Sequence, residues 1–170
     1  MATAFEVRRF LSIEADLLRQ IRLASLEDTP EAFGAGLAQD RAQPADWWQG
    51  WLERSPPFGA FVESVPRGMA GFFRNGAANM VHRGTLGAMY VAPELRGSGA
   101  ATALVQAVLD HAATLVEQVH LSVSADNLRA VRFYRRMGFV EYGREPAGLR
   151  YAGIDHDVLL MVRMLSAAQA

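Results

Sequence analysis

Apolar and polar positions change rhythm several times along the chain, and each change predicts an element. Residues 5–10 alternate loosely and predict a first strand. Leu17, Leu18, Ile21, Leu23 and Leu26 then recur at helical spacing, with Ser12 placed to cap that helix. Asp28-Thr29-Pro30 ends it, because the residue before a proline is pushed out of the α region. Pro44 suits the first turn of a second helix, from Ala45 to about Glu53, closed by Ser55-Pro56-Pro57. Two β-rich runs, 59–64 and 69–74, predict a hairpin turning through Val65-Pro66-Arg67-Gly68.

The second half changes character. Residues 85–91 predict a buried strand, and the stretch from Ala92 to Gly99 a turn-rich connection. Ala101, Leu104, Val105, Val108, Ala112, Leu115 and Val116 mark a helix, and residues 119–123 another strand. A helix over 127–137 follows, ended by Gly138 in the left-handed cap position with Arg135 and Arg136 at its negative end. Residues 139–144 and 158–164 predict two last strands, and 166–170 a frayed end. Alternating strands and helices of this kind predict an α/β fold with a mixed sheet.

Composition narrows the field. One domain over residues 1–170 suits the length, which is enough to bury roughly two thirds of the unfolded surface. At 51% hydrophobic and a net charge of −1 the chain is neither disordered nor basic enough for a dedicated nucleic-acid binder. There is no cysteine, which removes thiolate nucleophiles and cysteine metal sites; no metal is expected. All 17 basic residues are arginine, which removes lysine Schiff bases. The start lacks an apolar stretch followed by a cleavage site, and the run 99–109 is too short to span a bilayer, so no membrane partner is expected and a cytoplasmic location is.

Chemistry concentrates in Arg96-Gly97-Ser98-Gly99-Ala100-Ala101, between a strand and a helix start. Glycines there let successive N–H groups converge, and the helix N-terminus favours an anion, for which pyrophosphate is the natural guest. The same glycines would equally serve a turn that only connects. A P-loop is excluded, since it needs a lysine. A dinucleotide fingerprint is excluded too: Thr102 stands where its third glycine belongs, and the next strand ends in Ser122-Val123-Ser124 without an acid.

Residues 91–101, with Arg96, Gly99 and Ala101 on the pattern Gln/Arg-x-x-Gly-x-Gly/Ala, resemble the acetyl-CoA loop of the GNAT superfamily of N-acetyltransferases. Some thirty residues on, the segment from Asn127 to Phe139 is similar to the superfamily's Asn…Ala…Phe-Tyr…Gly-Phe segment. Asp28-Thr29-Pro30-Glu31-Ala32-Phe33 and the chain's ending also look like members of it, so the likeness covers nearly the whole chain. It implies an α/β (α+β) fold: a mixed, mostly antiparallel central sheet of six to seven strands flanked by about four helices.

The resemblance also implies roles. Acetyl-CoA would be the cosubstrate, its pyrophosphate held on the backbone of Gly97, Ser98, Gly99, Ala100 and Ala101 beside Arg96. Its pantetheine arm would pair with the backbone of Met89 and Val91, and Asn127 would bond a pantetheine amide. Tyr134 would stand at the thioester sulfur and protonate the departing thiolate, while a small-molecule or peptide amine attacks directly in a ternary complex. Asn127 and Tyr134 are two helical turns apart, so such a pair shares a face. The absence of cysteine agrees with a mechanism that has no acyl-enzyme. A core aromatic is the other account of Tyr134, and the better one for Phe133.

The amine must lose a proton first, at about 4.6 kcal/mol for a lysine-type group and about 1.4 kcal/mol for an α-amine at pH 7. Many members of the superfamily carry a glutamate on the strand before the loop; here stand Thr85, Gly87 and Ala88. Substitutes are a water held by Thr85 or by the backbone, or Glu27, Glu31, His82 or His156. Phe33, Glu31 and Thr85 are the residues expected to meet the acceptor. Trp47 and Trp51 share a helix side and either pack the core or wall that pocket. Asp155-His156-Asp157 predicts a solvated turn, and Arg129, Arg132, Arg135 and Arg136 a solvated basic face, part of which could attract the 3′-phosphate. A non-catalytic acyl-CoA-binding or sensor module is the alternative, and monomer and homodimer are both open.

Overall fold

Period-2 runs become seven strands: β1 (Glu6–Arg9), β2 (Phe58–Val62), β3 (Val65–Arg74), β4 (Arg83–Val91), β5 (Gln118–Ser124), β6 (Val140–Tyr151) and β7 (Ile154–Met164). The computed structural model describes residues 4–165, and the expected fraying of 166–170 lies outside them. Five α-helices occur among the described residues: α1 (Ala15–Asp28), α2 (Leu37–Arg41), α3 (Ala45–Arg54), α4 (Ala100–Ala112) and α5 (Leu128–Arg136). Hydrogen-bonded neighbours follow the order β1-β2-β3-β4-β5-β7-β6. The β4–β5 pair is parallel, whereas β1–β2, β2–β3, β5–β7 and β6–β7 are antiparallel. The expected mixed, mostly antiparallel sheet is therefore present, with one helix more than anticipated, the single-turn α2. No helix of the described chain is long and apolar enough to cross a membrane.

The chain divides into two units. One runs up to Phe72 and includes Ala88–Val108. Its α1 buries Leu18, Ile21, Arg22, Ser25 and Leu26, the i, i+3, i+4, i+7, i+8 stripe of an amphipathic helix. Its Leu18 and Ile21 share a core cluster with Trp48, Trp51, Leu52, Phe61, Met69 and Tyr90. The other comprises Phe73–Gly87 and the chain from Leu109. There Val119, Leu121 and Val123 of β5 are buried, as are Val131, Tyr134 and Phe139 around α5 and Val158, Leu159 and Met161 of β7.

Several expectations need correction. Ser12 does not cap α1. Glu14 stands at that position, its carboxylate accepting the Leu11 N–H at 2.8 Å and a two-point bond from Arg8, which delays the helix start. The first hairpin turns at Glu63-Ser64, both with positive φ (48° and 69°), the requirement of a two-residue type I′ turn. Val65-Pro66-Arg67-Gly68 is strand instead. Pro66 lies opposite Phe61 beside a register shift, where a missing N–H is tolerated. Gly68 serves close approach, since a Cβ there would meet Tyr90 O at 3.0 Å and Leu104 Cδ1 at 3.1 Å. Asp155-His156-Asp157 is not a turn but part of β7, with Asp155 opposite Arg150 and ion-paired to it. Charged pairs on that exposed edge masked the alternation. Helix α4 ends at Ala112, short of the expected Val116.

Candidate functional site

Between β4 and α4 the chain runs through a 3-10 turn (Pro93–Leu95) whose Leu95 is fully buried and pins the connection. Gly97 (φ 81°) and Gly99 (φ 93°) then adopt left-handed conformations that disfavour any side chain. No atom lies within 4 Å of where a Cβ would sit at either position, so the space over the loop is open. Ser98 braces the turn: its N–H reaches Leu95 O at 3.3 Å, its hydroxyl donates to the same carbonyl at 2.7 Å, and Ala100 N–H reaches its Oγ at 3.3 Å. The N–H groups of Gly97, Gly99, Ala101 and Thr102 have no acceptor among the described residues. Four unsatisfied donors stand at the start of a thirteen-residue helix, reached through glycines, an arrangement that favours an anion.

Arg96 is not aimed outward in the same way. Its Nε donates to Val91 O at 3.0 Å, and its Nη2 donates to Asp28 Oδ2. The guanidinium thus ties the end of β4, the start of the loop and the end of α1. Neither spacing nor the motif pointed to Asp28 as more than a helix end. The acid at the C-terminus of α1, against the dipole, was the available signal.

On β4 the ladder to β5 covers Arg83↔Gln118 to Thr85↔His120. Beyond it Ala88 has φ 50°, a non-glycine residue in left-handed conformation within a strand. That positive φ interrupts the regular strand geometry between Thr85, where the ladder to β5 ends, and Met89. Met89 and Val91 are both half-buried. Thr85 is exposed.

In the second unit, Asn127 lies one residue outside α5, as its cap: its Oδ1 accepts the Ala130 N–H at 3.1 Å. Its amide nitrogen remains a donor. Tyr134 is 8% exposed and rings with Phe139 edge-on at 5.9 Å. Its hydroxyl has no hydrogen-bond partner among the described residues. Burial raises its pKa well above the usual phenol range, which holds its proton on. Gly138 (φ 84°) ends the helix as expected, and Phe139 N–H returns to Tyr134 O at 3.0 Å.

The acceptor candidates separate. Phe33 is half-buried with the Arg22 guanidinium 5.0 Å from its ring centre, while Glu31 is exposed on the 3-10 turn Pro30–Ala32. Glu27 is paired with Arg41 at 2.5 Å. His156 Nδ1 lies 2.7 Å from Asp126 Oδ2, which orients its ring. Trp47 and Trp51 do meet edge-on at 5.6 Å, and Trp48, 1% exposed, completes the cluster by stacking on Trp51. Arg22, missed because an arginine interrupts an apolar stripe, is buried against Asp40.

Residues 18–139 match the Acetyltransferase (GNAT) family. A spermidine N(1)-acetyltransferase of Vibrio cholerae is 32% identical over 84 residues, 48% of this chain and 49% of that protein. N-alpha-acetyltransferase 30 of Schizosaccharomyces pombe is 41% identical over 70 residues, 38% and 47% of the two chains. The chain thus spans about half the length of these curated relatives. Among solved structures, a GNAT-family acetyltransferase from Streptococcus pneumoniae has a TM-score of 0.84 at 19% identity, covering 96% of this chain and all of its own. The protein yncA from Salmonella typhimurium, solved with its cofactor acetyl-CoA, has a TM-score of 0.82 at 18% identity, covering 98% and 97%. At such identities the structural likeness shows the fold. With the family matched over more than half its length, the chain belongs to the acetyltransferase (GNAT) family.

Proposed function

We propose that the chain forms one N-acetyltransferase domain that moves the acetyl group of acetyl-CoA to a primary amine by direct attack in a ternary complex. The observation that carries this reading is the open cradle of four unsatisfied N–H groups at residues 97–102. Relatives named for spermidine and for N-alpha acetylation support an amine acceptor, from a small molecule or a peptide.

Acetyl-CoA supplies an activated acyl thioester when bound. Gly97, Gly99, Ala101 and Thr102 would hold its diphosphate, with Ser98 and Arg96 keeping the loop in shape. By the resemblance, the backbone of Met89 and Val91, just past the irregular Ala88 of β4, would pair the pantetheine arm. The Met89 N–H would polarise the thioester carbonyl as charge develops on it. The amine nitrogen bonds to the carbonyl carbon and the C–S bond breaks; by the resemblance, the thiolate would take its proton from the Tyr134 hydroxyl. A phenol with a raised pKa is a weak acid toward water. Toward a buried thiolate it would be a competent one, because burial raises a thiol pKa as well. The amine's own proton leaves to solvent or to a nearby base.

Thiol release from acetyl-CoA across a panel of amines tests the reading, together with calorimetry of coenzyme A binding. Turnover with at least one primary amine is expected. Tight binding without turnover on any amine would instead favour a non-catalytic acyl-CoA sensor, the reading that the carboxylate-free strand with Thr85, Gly87 and Ala88 suggests.

A further inference from the structure

Asp28 breaks a local rule. It is the last residue of α1, where the helix presents the negative end of its dipole, and no basic residue stands in that turn. A carboxylate there has to be held by partners from elsewhere in the chain. Two are present. Arg96 donates through Nη2 and the Tyr90 hydroxyl donates at 3.2 Å, both to Oδ2. Each side chain of the ion pair is about a third exposed (32%), and pairs so placed add little to stability. What the pair supplies is position.

It joins two different segments. Arg96 opens the glycine loop and is fixed to the last carbonyl of β4. Asp28 opens residues 29–36. Thr29 is fastened to Ser25 O through its N–H and its Oγ1, both at 3.1 Å, and a single 3-10 turn follows. None of residues 31–39 is buried, and a Cβ at Gly34 or Gly36 would touch nothing within 4 Å. Apart from Phe33, which packs against the core, the segment has few contacts and little local stability, so its ends help to set its position. Those ends are Asp28 and the buried Arg22–Asp40 pair.

We propose that Asp28 is a positioning residue that couples the loop at residues 97–102 to residues 29–36, the segment carrying Glu31 and Phe33; this rests on the reading of that loop as the coenzyme A cradle. Filling the cradle fixes the loop and with it Arg96, Arg96 holds the Asp28 carboxylate, and Asp28 sets the angle at which the following segment leaves α1. Linkage makes the effect reciprocal: an acceptor that orders residues 29–36 tightens the hold on coenzyme A by the same factor. Tyr90 supports the junction. Burial, with the Asp28 charge beside it, pushes its phenol up to about 12, so it remains a donor throughout the neutral range.

Deuterium exchange over residues 29–36 of the full chain, with and without saturating coenzyme A, tests the coupling alongside calorimetry. Coenzyme A should slow wild-type exchange there about 5-fold or more. Asp28→Ala should weaken coenzyme A about 5-fold and show no protection of 29–36 even at saturation, and Asp28→Glu should restore both. Arg96→Ala breaks the link from the other side, so it should lose the same protection, and the double variant should lose no more than either single one. Protection of 29–36 in saturated Asp28→Ala or Arg96→Ala as strong as in wild type would overturn the coupling. A wild type that binds coenzyme A without protecting 29–36 would also overturn it while leaving the proposed function intact. A wild type that takes up no coenzyme A would remove the function first.

Discussion

Arg22 Nε donates to Asp40 Oδ2 across 2.8 Å, with both side chains less than a tenth exposed. A charged pair has therefore taken a position on the apolar stripe of α1, under the Phe33 and Trp51 rings. Removing one partner strands the other without solvent. Asp40→Ala should cost about 3–5 kcal/mol in urea unfolding. Replacing both, as Arg22→Met with Asp40→Leu, should recover more than half of that loss. A full loss in the double variant would mean that the pair's charge is itself required.

The loop glycines are needed for their backbone angles and not for want of room. Gly99→Ala should therefore weaken coenzyme A binding about 10-fold, from roughly 1–2 kcal/mol of left-handed strain. Gly99→Asn, which tolerates that conformation, should keep most of the affinity. Equal losses in the two variants, measured by calorimetry, would point to crowding by the side chain.

Tyr134 carries a hydroxyl that bonds to nothing in the described chain. Tyr134→Phe should then leave the melting temperature nearly unchanged. It should lower kcat by roughly 100-fold, with little change in the KM for acetyl-CoA. An unaltered kcat would remove Tyr134 from the chemistry and leave it a core aromatic.

Acid sensitivity should trace partly to Glu14. The hydrogen bonds from Arg8, helped by the Leu11 N–H and opposed by burial, hold its pKa below the ordinary 4.5. A depressed carboxylate stabilises the fold above its unfolded pKa, and that contribution fades as pH falls from about 4.5 through the folded value. Glu14→Gln should be less stable than wild type at pH 7, and the gap should narrow as melting is followed down to pH 3. A constant gap would mean that Glu14 acts only through packing.

How much of this was legible in the sequence depended on where each signal came from. The strands and helices around the loop and the left-handed cap at Gly138 were readable because periodicity and turn chemistry are local, and the two motifs because their residues resemble those of the family. The hairpin at Glu63-Ser64 was hidden because neither residue is a habitual left-handed one, while Pro66 and Gly68 advertised a turn nearby. The long β6–β7 pair was hidden by charged cross-strand partners such as Arg150 and Asp155. Arg22–Asp40 and Asp28–Arg96 join residues 18 and 68 positions apart. No spacing rule announces such pairs, so the anchor of the loop emerged only from the fold.

The central claim is that free main-chain donors at residues 97–102 grip a diphosphate. Its most direct test is an amide-resolved NMR titration of the 15N-labelled protein with coenzyme A. The Gly97, Gly99, Ala101 and Thr102 amides should move together and saturate at one stoichiometric equivalent. Ala100, whose N–H is already turned to Ser98, should move less. Binding that leaves those four resonances in place, or the absence of any binding, would contradict it.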